Sequence, residues 1–290
     1  MADLALVLLM AVWGSTFAIV RVLVGGDGAP FSPVLLVAIR MGVAASLLAL
    51  WIGMRGGLRR TPGLLRDGAV CAALLAGGFV LQIEGQHRTT ASRSGFLTGL
   101  LVIFVPLLEY AFFRRKVARA YLAGTALAVV GMAVLSRGGS AGETRLLGDV
   151  LTVGCAIVFA LHIVVLGRVA PRHPVLPLLL VQLAGASLLA LALAPALELP
   201  RFVRTPATVA ALGYLAVFAT LVAFGIQTWA QKKLPAVRFA LLSALEPVFA
   251  ALWAALLIGE RLSAAELAGG ALIVAGVAVG EAGAALVSRA

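Results

Sequence analysis

Charge is scarce in this chain. Only 12% of its 290 residues are Asp, Glu, Lys or Arg, against about 25% in an average soluble domain, and 62% are hydrophobic. So little charge cannot cover a water-facing surface, which excludes an ordinary soluble protein. Cysteine is nearly absent. Cys71 and Cys155 stand alone inside apolar runs, with no CxxC or Cys/His spacing, so no disulfide framework and no metal site is expected and both read as small core residues. The only aspartates, Asp3, Asp27, Asp67 and Asp149, fall at the ends of apolar runs or between them, and HExxH, GxSG and P-loop motifs are missing. Intramembrane proteolysis and nucleotide hydrolysis therefore lack their parts. The chain is not expected to be an enzyme, and no cofactor is expected.

What is present is a succession of apolar runs of about 18 to 22 residues, each long enough to cross a hydrocarbon core of about 30 Å as a helix. Barrel strands would alternate polar and apolar residues, and these runs do not. The first run has neither a basic leader nor a small-residue cleavage site, so it reads as a retained helix. The pattern predicts an all-α membrane protein of ten helices, over 3–24, 33–53, 68–87, 93–113, 118–136, 148–168, 175–194, 207–230, 236–258 and 264–284. A net charge of +11 would suggest nucleic acid in a soluble protein. Here the basic residues sit in the connections. Arg55, Arg59, Arg60, Arg66, Arg114, Arg115, Lys116, Arg119, Arg168, Arg172, Lys232, Lys233 and Arg289 all fall on one side, which the positive-inside rule makes cytoplasmic, together with both termini. No nucleic-acid partner is implied, and membrane lipid is the expected surrounding.

The chain also repeats itself. Phe79, Gln82, Gln86, Ala91 and Arg93 return as Phe224, Gln227, Gln231, Ala236 and Arg238, each 145 residues on, and Gly124 and Gly131 return as Gly269 and Gly276. Asp3, Trp13 and Thr16 correspond to Asp149, Phe159 and His162 at an offset of 146. Two halves follow, residues 1–145 and 146–290, of five helices each. Five is odd, so the second half enters the membrane from the opposite side, giving inverted-topology repeats with a central cavity between them, as in many secondary transporters.

Several residues at this point resemble a known family. Trp13-Gly14-Ser15-Thr16-Phe17, Arg40, Leu245-Glu246-Pro247, Gly259-Glu260-Arg261-Leu262 and the glycine-spaced fifth and tenth helices are similar to the EamA family of the drug/metabolite transporter superfamily. Ser94 to Leu100 with the late Pro106 is similar to its amino-acid exporter branch. The resemblance spans the whole chain. It implies cytoplasmic termini in a bacterial-type inner membrane, and secondary transport that exports amino acids or related small metabolites by alternating access. An efflux or uptake permease for another metabolite or drug, or a scaffold without transport, are the alternatives. The chain is expected to work as a monomer. One departure stands out: the first half reads Val105-Pro106 and Arg114-Arg115-Lys116 where the family has Glu-Pro and Gly-Glu-Arg, so any role of that glutamate falls to Glu246 alone.

Candidate substrate-binding residues are Trp13, Thr16, Phe79, Gln82, Phe159, His162, Phe224 and Gln227. Phe79, Gln82 and Gln86 share one helix face, as do Phe224, Gln227 and Gln231. Primary amides in an apolar helix are costly unless bonded, so the glutamines either line a wet cavity or join helices to one another. Joining is the better account of Gln86 and Gln231, nearer the helix ends. Trp13 and Phe159 pair an aromatic wall with Thr16 and His162, although packing and a structural histidine explain the same residues. His87 and His173 fall at loops and say little. Arg40 lies inside the second helix, where it either attracts a carboxylate or caps carbonyls near the outer surface. Among the acids placed inside spans, Glu84 and Glu109 have nearby arginines. Glu246 is the candidate for proton coupling, because burial favours a neutral acid.

Overall fold

The structure is a computed structural model that describes residues 2–25, 28–58, 61–88, 91–135, 146–258 and 262–287. Asp27, Arg59, Arg60, Arg137 to Ser140, Gly259 to Arg261 and Arg289 lie outside the described residues, as does the side chain of Arg93. Helices run in the expected order: α1 (Ala2–Val24), α2 (Pro33–Met54), α3 (Leu64–Arg88), α4 (Ala91–Gly99), α5 (Leu101–Phe113), α6 (Arg119–Leu135) and α7 (Leu146–Val169). The second half continues with α8 (Val175–Leu197), α9 (Pro206–Ala216), α10 (Ala223–Gln231), α11 (Ala236–Ser243), α12 (Glu246–Ile258) and α13 (Ala264–Val287). Nine spans among the described residues are long and apolar enough to cross a membrane, and α6 is a shorter apolar helix beside them. The molecule is an all-α, multi-pass membrane protein. Local chemistry sets several ends. Pro33 and Pro206 occupy first turns, where a missing N–H costs nothing, and Thr205 with Thr208 closes a capping box ahead of α9.

Glycine decides the closest helix pair. A Cβ on Gly124 would lie 2.5 Å from the Gly276 carbonyl oxygen, and one on Gly131 would lie 2.7 Å from that of Gly269. The two contacts exchange when each residue is replaced by its counterpart 145 positions away. Repeat-related α6 and α13 thus pack across an approximate two-fold axis, backbone to backbone, as small residues permit in membranes.

Three spans expected to be continuous are interrupted. Between α4 and α5 the hydrogen bonding tightens to i→i+3 around Leu100, and between α11 and α12 around Leu245, 145 residues on. Pro247 has no N–H to offer the Ser243 carbonyl, which accounts for the second break. No proline stands at the equivalent Val102, so packing imposes the first. Between α9 and α10, Val217–Val222 widen into a π-helix, with the Thr220 hydroxyl donating to the Leu215 carbonyl (2.8 Å).

The start of α1 and the last turns of α13 meet on one face, called the terminal face below. Arg238 at the start of α11 donates there to Asp3 (2.9 Å) in α1 and to Glu281 near the end of α13. Glu281 lies inside a span and escaped the sequence reading of embedded acids. Glu109 pairs with Arg168 (3.3 Å) across α5 and α7 rather than with Arg114 or Arg115 beside it, while Glu84 does pair with its neighbour Arg88. His173 is not an uninformative loop residue. It is buried, with Nδ1 at 2.7 Å from Thr61 Oγ1 and Nε2 at 3.0 Å from Asp67 Oδ2.

Candidate functional site: a cavity between the halves

One internal cavity is lined by Trp13, Thr16, Arg40, Phe79, Gln82, Phe159, His162, Phe224, Gln227 and Glu246, the ten residues singled out from the sequence. Its walls come from α1, α2, α3, α7, α10, α11 and the start of α12, with Thr98 and Leu101 at the α4–α5 break. The packing explains how distant residues meet. Trp13 and Phe159 each touch both of the large apolar clusters of the bundle, so the cavity lies at the seam between them.

Four aromatic rings form the middle of the wall. Phe79 meets Phe159 edge-on at 5.2 Å and Phe224 at 5.8 Å, and Trp13 meets Phe224 at 5.3 Å. The Trp13–Phe224 and Phe159–Phe79 contacts are repeat images of each other, and Phe79 touches its own counterpart. The approximate two-fold axis therefore passes through this ring cluster. Edge-on pairs of this kind hold each other in place by about 0.5–1.5 kcal/mol beyond their burial.

The polar groups are arranged less symmetrically. Arg40 is buried in the bundle, with Nε donating to Thr220 Oγ1 (3.0 Å), Nη2 donating to the Ala219 carbonyl (3.4 Å) and its guanidinium 4.8 Å from the Phe79 ring centre. Arg40 thus faces the cavity and bonds a carbonyl deep in the bundle on another helix, not one near the outer surface. Trp13 Nε1 donates to the same Ala219 carbonyl (3.2 Å). The π-helix is what turns this oxygen towards both donors, consistent with such bulges marking functional positions. Glu246 opens α12 on the cavity wall, and among the described residues no ion pair joins it to Arg40.

The glutamines divide. Gln231 Nε2 donates to the Ile163 carbonyl (2.7 Å), joining α10 to α7 as interhelical bonding requires, and its Oε1 accepts from Gln227 Nε2 (3.0 Å). Gln227 Oε1 is buried on the cavity wall with no hydrogen-bond partner among the described residues, as is Thr98 Oγ1. Gln86, read as interhelical, lines the cavity instead. Thr16 bonds the Trp13 carbonyl of its own helix (2.8 Å). His162 Nε2 lies 3.0 Å from Gln182 Oε1, a partner the sequence reading missed. Thr98 and Ser243 were also missed. Both line the cavity and both carry hydroxyls 145 positions apart, so the repeat offset held the signal.

Unmet acceptors, a buried cation, an acid and aromatic walls suit reversible binding of a small polar solute with some apolar character. The space open to the centres of water molecules is about 70 Å³, room for several waters, so anything larger must spread the walls. Comparison with known proteins identifies the frame. The model of the EamA-like transporter family matches residues 1–137 and again 146–279. The chain belongs to that family. It is 26% identical over 96% of its length to an uncharacterized transporter of Archaeoglobus fulgidus, covering 85% of that protein. It is 32% identical over 57% of its length to a probable amino-acid metabolite efflux pump of Salmonella typhimurium, covering 58% of that protein. A solved crystal structure superposes with a TM-score of 0.80, covering 97% of this chain and 98% of its own at 19% identity, which is a likeness of fold. This EamA-like chain is a membrane transporter.

Proposed function

We propose that this transporter exports amino acids or closely related zwitterionic metabolites across a bacterial-type inner membrane, with the terminal face in the cytoplasm. The observation that carries the proposal is the pair Arg40 and Glu246, a base and an acid lining one cavity without being joined to each other. A zwitterion answers both at once. Its carboxylate takes the free donor capacity of Arg40 and its ammonium group lies against Glu246, while Gln227 Oε1 and Thr98 Oγ1 accept further hydrogen bonds. Its side chain packs among Trp13, Phe79, Phe159 and Phe224. The name of the Salmonella relative supports the same substrate class and the outward direction. Basic residues crowding the terminal face support its cytoplasmic placement.

The test is flux in proteoliposomes with a panel of labelled amino acids, each competed by its carboxamide and its N-acetyl derivative. Wild type is expected to prefer the intact amino acid. Arg40→Gln is expected to erase the preference over the carboxamide, and Glu246→Gln the preference over the N-acetyl compound. A charge-assisted hydrogen bond contributes about 1.5–3 kcal/mol, so each preference should be about 10- to 100-fold. Equal competition by all three forms in wild type would refute the zwitterion assignment. If Glu246 also carries a coupling proton, Glu246→Gln flattens the pH dependence of transport.

A further inference from the structure

A second concavity lies on the lipid-facing flank, between α2, α8 and α10. Leu47, Trp51, Leu179, Val222, Gly225 and Trp229 form its sides and floor, and it measures about 490 Å³, larger than the central cavity by the same measure. Trp51, Leu47 and Val222 remain more than a third exposed, and every one of these residues sits in a membrane span. The groove is lined along its length by leucine, isoleucine, valine, glycine and tryptophan, with no charged side chain among them. Its end at the terminal face is different. There the Arg55 guanidinium lies 4.6 Å from the Trp51 ring centre, and the Lys233 ammonium lies 4.9 Å from that of Trp229. Both tryptophans line the one groove, so both cations stand at its mouth. Among the described residues, neither cation has an acidic partner.

We infer that this groove is a binding site for an anionic glycerophospholipid of the leaflet at the terminal face. The lipid phosphate sits between Arg55 and Lys233 at interface depth, and one acyl chain runs over Gly225 between Trp51 and Trp229. Charge complementarity selects the occupant. An apolar groove alone would take any acyl chain, but two unneutralised cations at headgroup level favour a lipid with net negative charge over a zwitterionic one. The glycine makes the room: a Cβ at Gly225 would already be in van der Waals contact with Leu179 (3.6 Å), so a larger side chain would fill the floor. The groove also lies behind the site. Val222, Gly225 and Trp229 face it from the same turns that present Phe224 and Gln227 to the cavity. The bound lipid therefore braces the span that carries the π-helix Val217–Val222. The site goes beyond the proposed export of zwitterions and does not depend on which solute is moved.

Native mass spectrometry of the full chain in detergent, titrated with phosphatidylglycerol or phosphatidylcholine of matched acyl chains, tests the site. Wild type is expected to retain a single phosphatidylglycerol at least fivefold more than phosphatidylcholine. Arg55→Gln with Lys233→Gln removes that preference. Arg115→Gln with Lys116→Gln, the same charge change away from the groove, leaves it intact. Gly225→Leu lowers retention of both lipids. Equal retention of the two lipids by wild type, or a preference that survives Arg55→Gln with Lys233→Gln, would overturn the assignment. The charge variants alter exposed side chains, so the outcome stands even if Gly225→Leu fails to fold.

Discussion

Gln227 and Gln231 are four residues apart on one helix face and do different work. The Gln231 amide is engaged at both its nitrogen and its oxygen, donating to the Ile163 carbonyl and accepting from Gln227, whereas the Gln227 oxygen is unpartnered among the described residues and faces the cavity. Removing Gln231 breaks the bond between α10 and α7 and leaves the buried Gln227 Nε2 without its acceptor, which costs about 1–3 kcal/mol. Gln231→Ala is therefore expected to lower the detergent melting temperature by several degrees, while Gln227→Ala lowers flux with a smaller loss of stability. Thermal unfolding beside flux in the same preparations separates the two, and a reversed order would assign the cavity role to Gln231. The sequence showed that both amides needed partners, because an apolar helix offers none of its own beyond the backbone. It could not show which found one, since the Ile163 carbonyl comes from a helix 68 residues away.

Among elements, the α6–α13 pair is the least tolerant of change. No rotamer relieves a Cβ on Gly124 or Gly276, because the opposing atoms are backbone. Gly276→Val is expected to abolish or sharply reduce folded protein. Gly213→Ala, where nothing lies within 4 Å, should be neutral or stabilising by up to about 1 kcal/mol, since alanine is the better helix former. Yields and melting temperatures of the two variants check this, and a well-folded Gly276→Val would mean that the helices can separate at little cost. The spacing of these glycines was visible in the sequence as close-packing faces. Pro247 was a visible signal for the break at Leu245, but the break at Leu100 and the π-helix at Val217–Val222 left none. A helix that departs from its regular pattern for a turn keeps the same apolar composition, and periodicity cannot register the change.

At the scale of the whole molecule, the cavity departs from two-fold symmetry. It extends along α1 and α3 to Val20, Ile83 and Gln86, but their counterparts Leu166, Thr228 and Gln231 lie outside it, and Gln231 is bonded to α7. The space thus leans towards the face opposite the termini. Exchange of the two arrangements between the inverted halves is the motion expected to carry a solute across. Both positions are buried, so cysteine introduced at Gln86 should react with a small membrane-impermeant thiol reagent slowly but faster than cysteine at Gln231, and the difference should shrink when transport substrate is supplied. Labelling of both at equal rates without substrate would exclude the asymmetric resting state. Apolar run lengths, basic connections and the 145-residue offset by themselves determined a bundle of ten membrane helices in two inverted halves, and picked out ten residues that share one cavity. They could do so because membrane insertion makes every embedded polar side chain costly, so those retained stand out. Only the tertiary structure decided that Arg40 grips a π-helix rather than an outer carbonyl, that Gln86 faces the cavity while Gln231 does not, and that two stacked cations flank a lipid-side groove. Each of those depends on contacts between helices far apart in the chain, and local pattern carries no record of them.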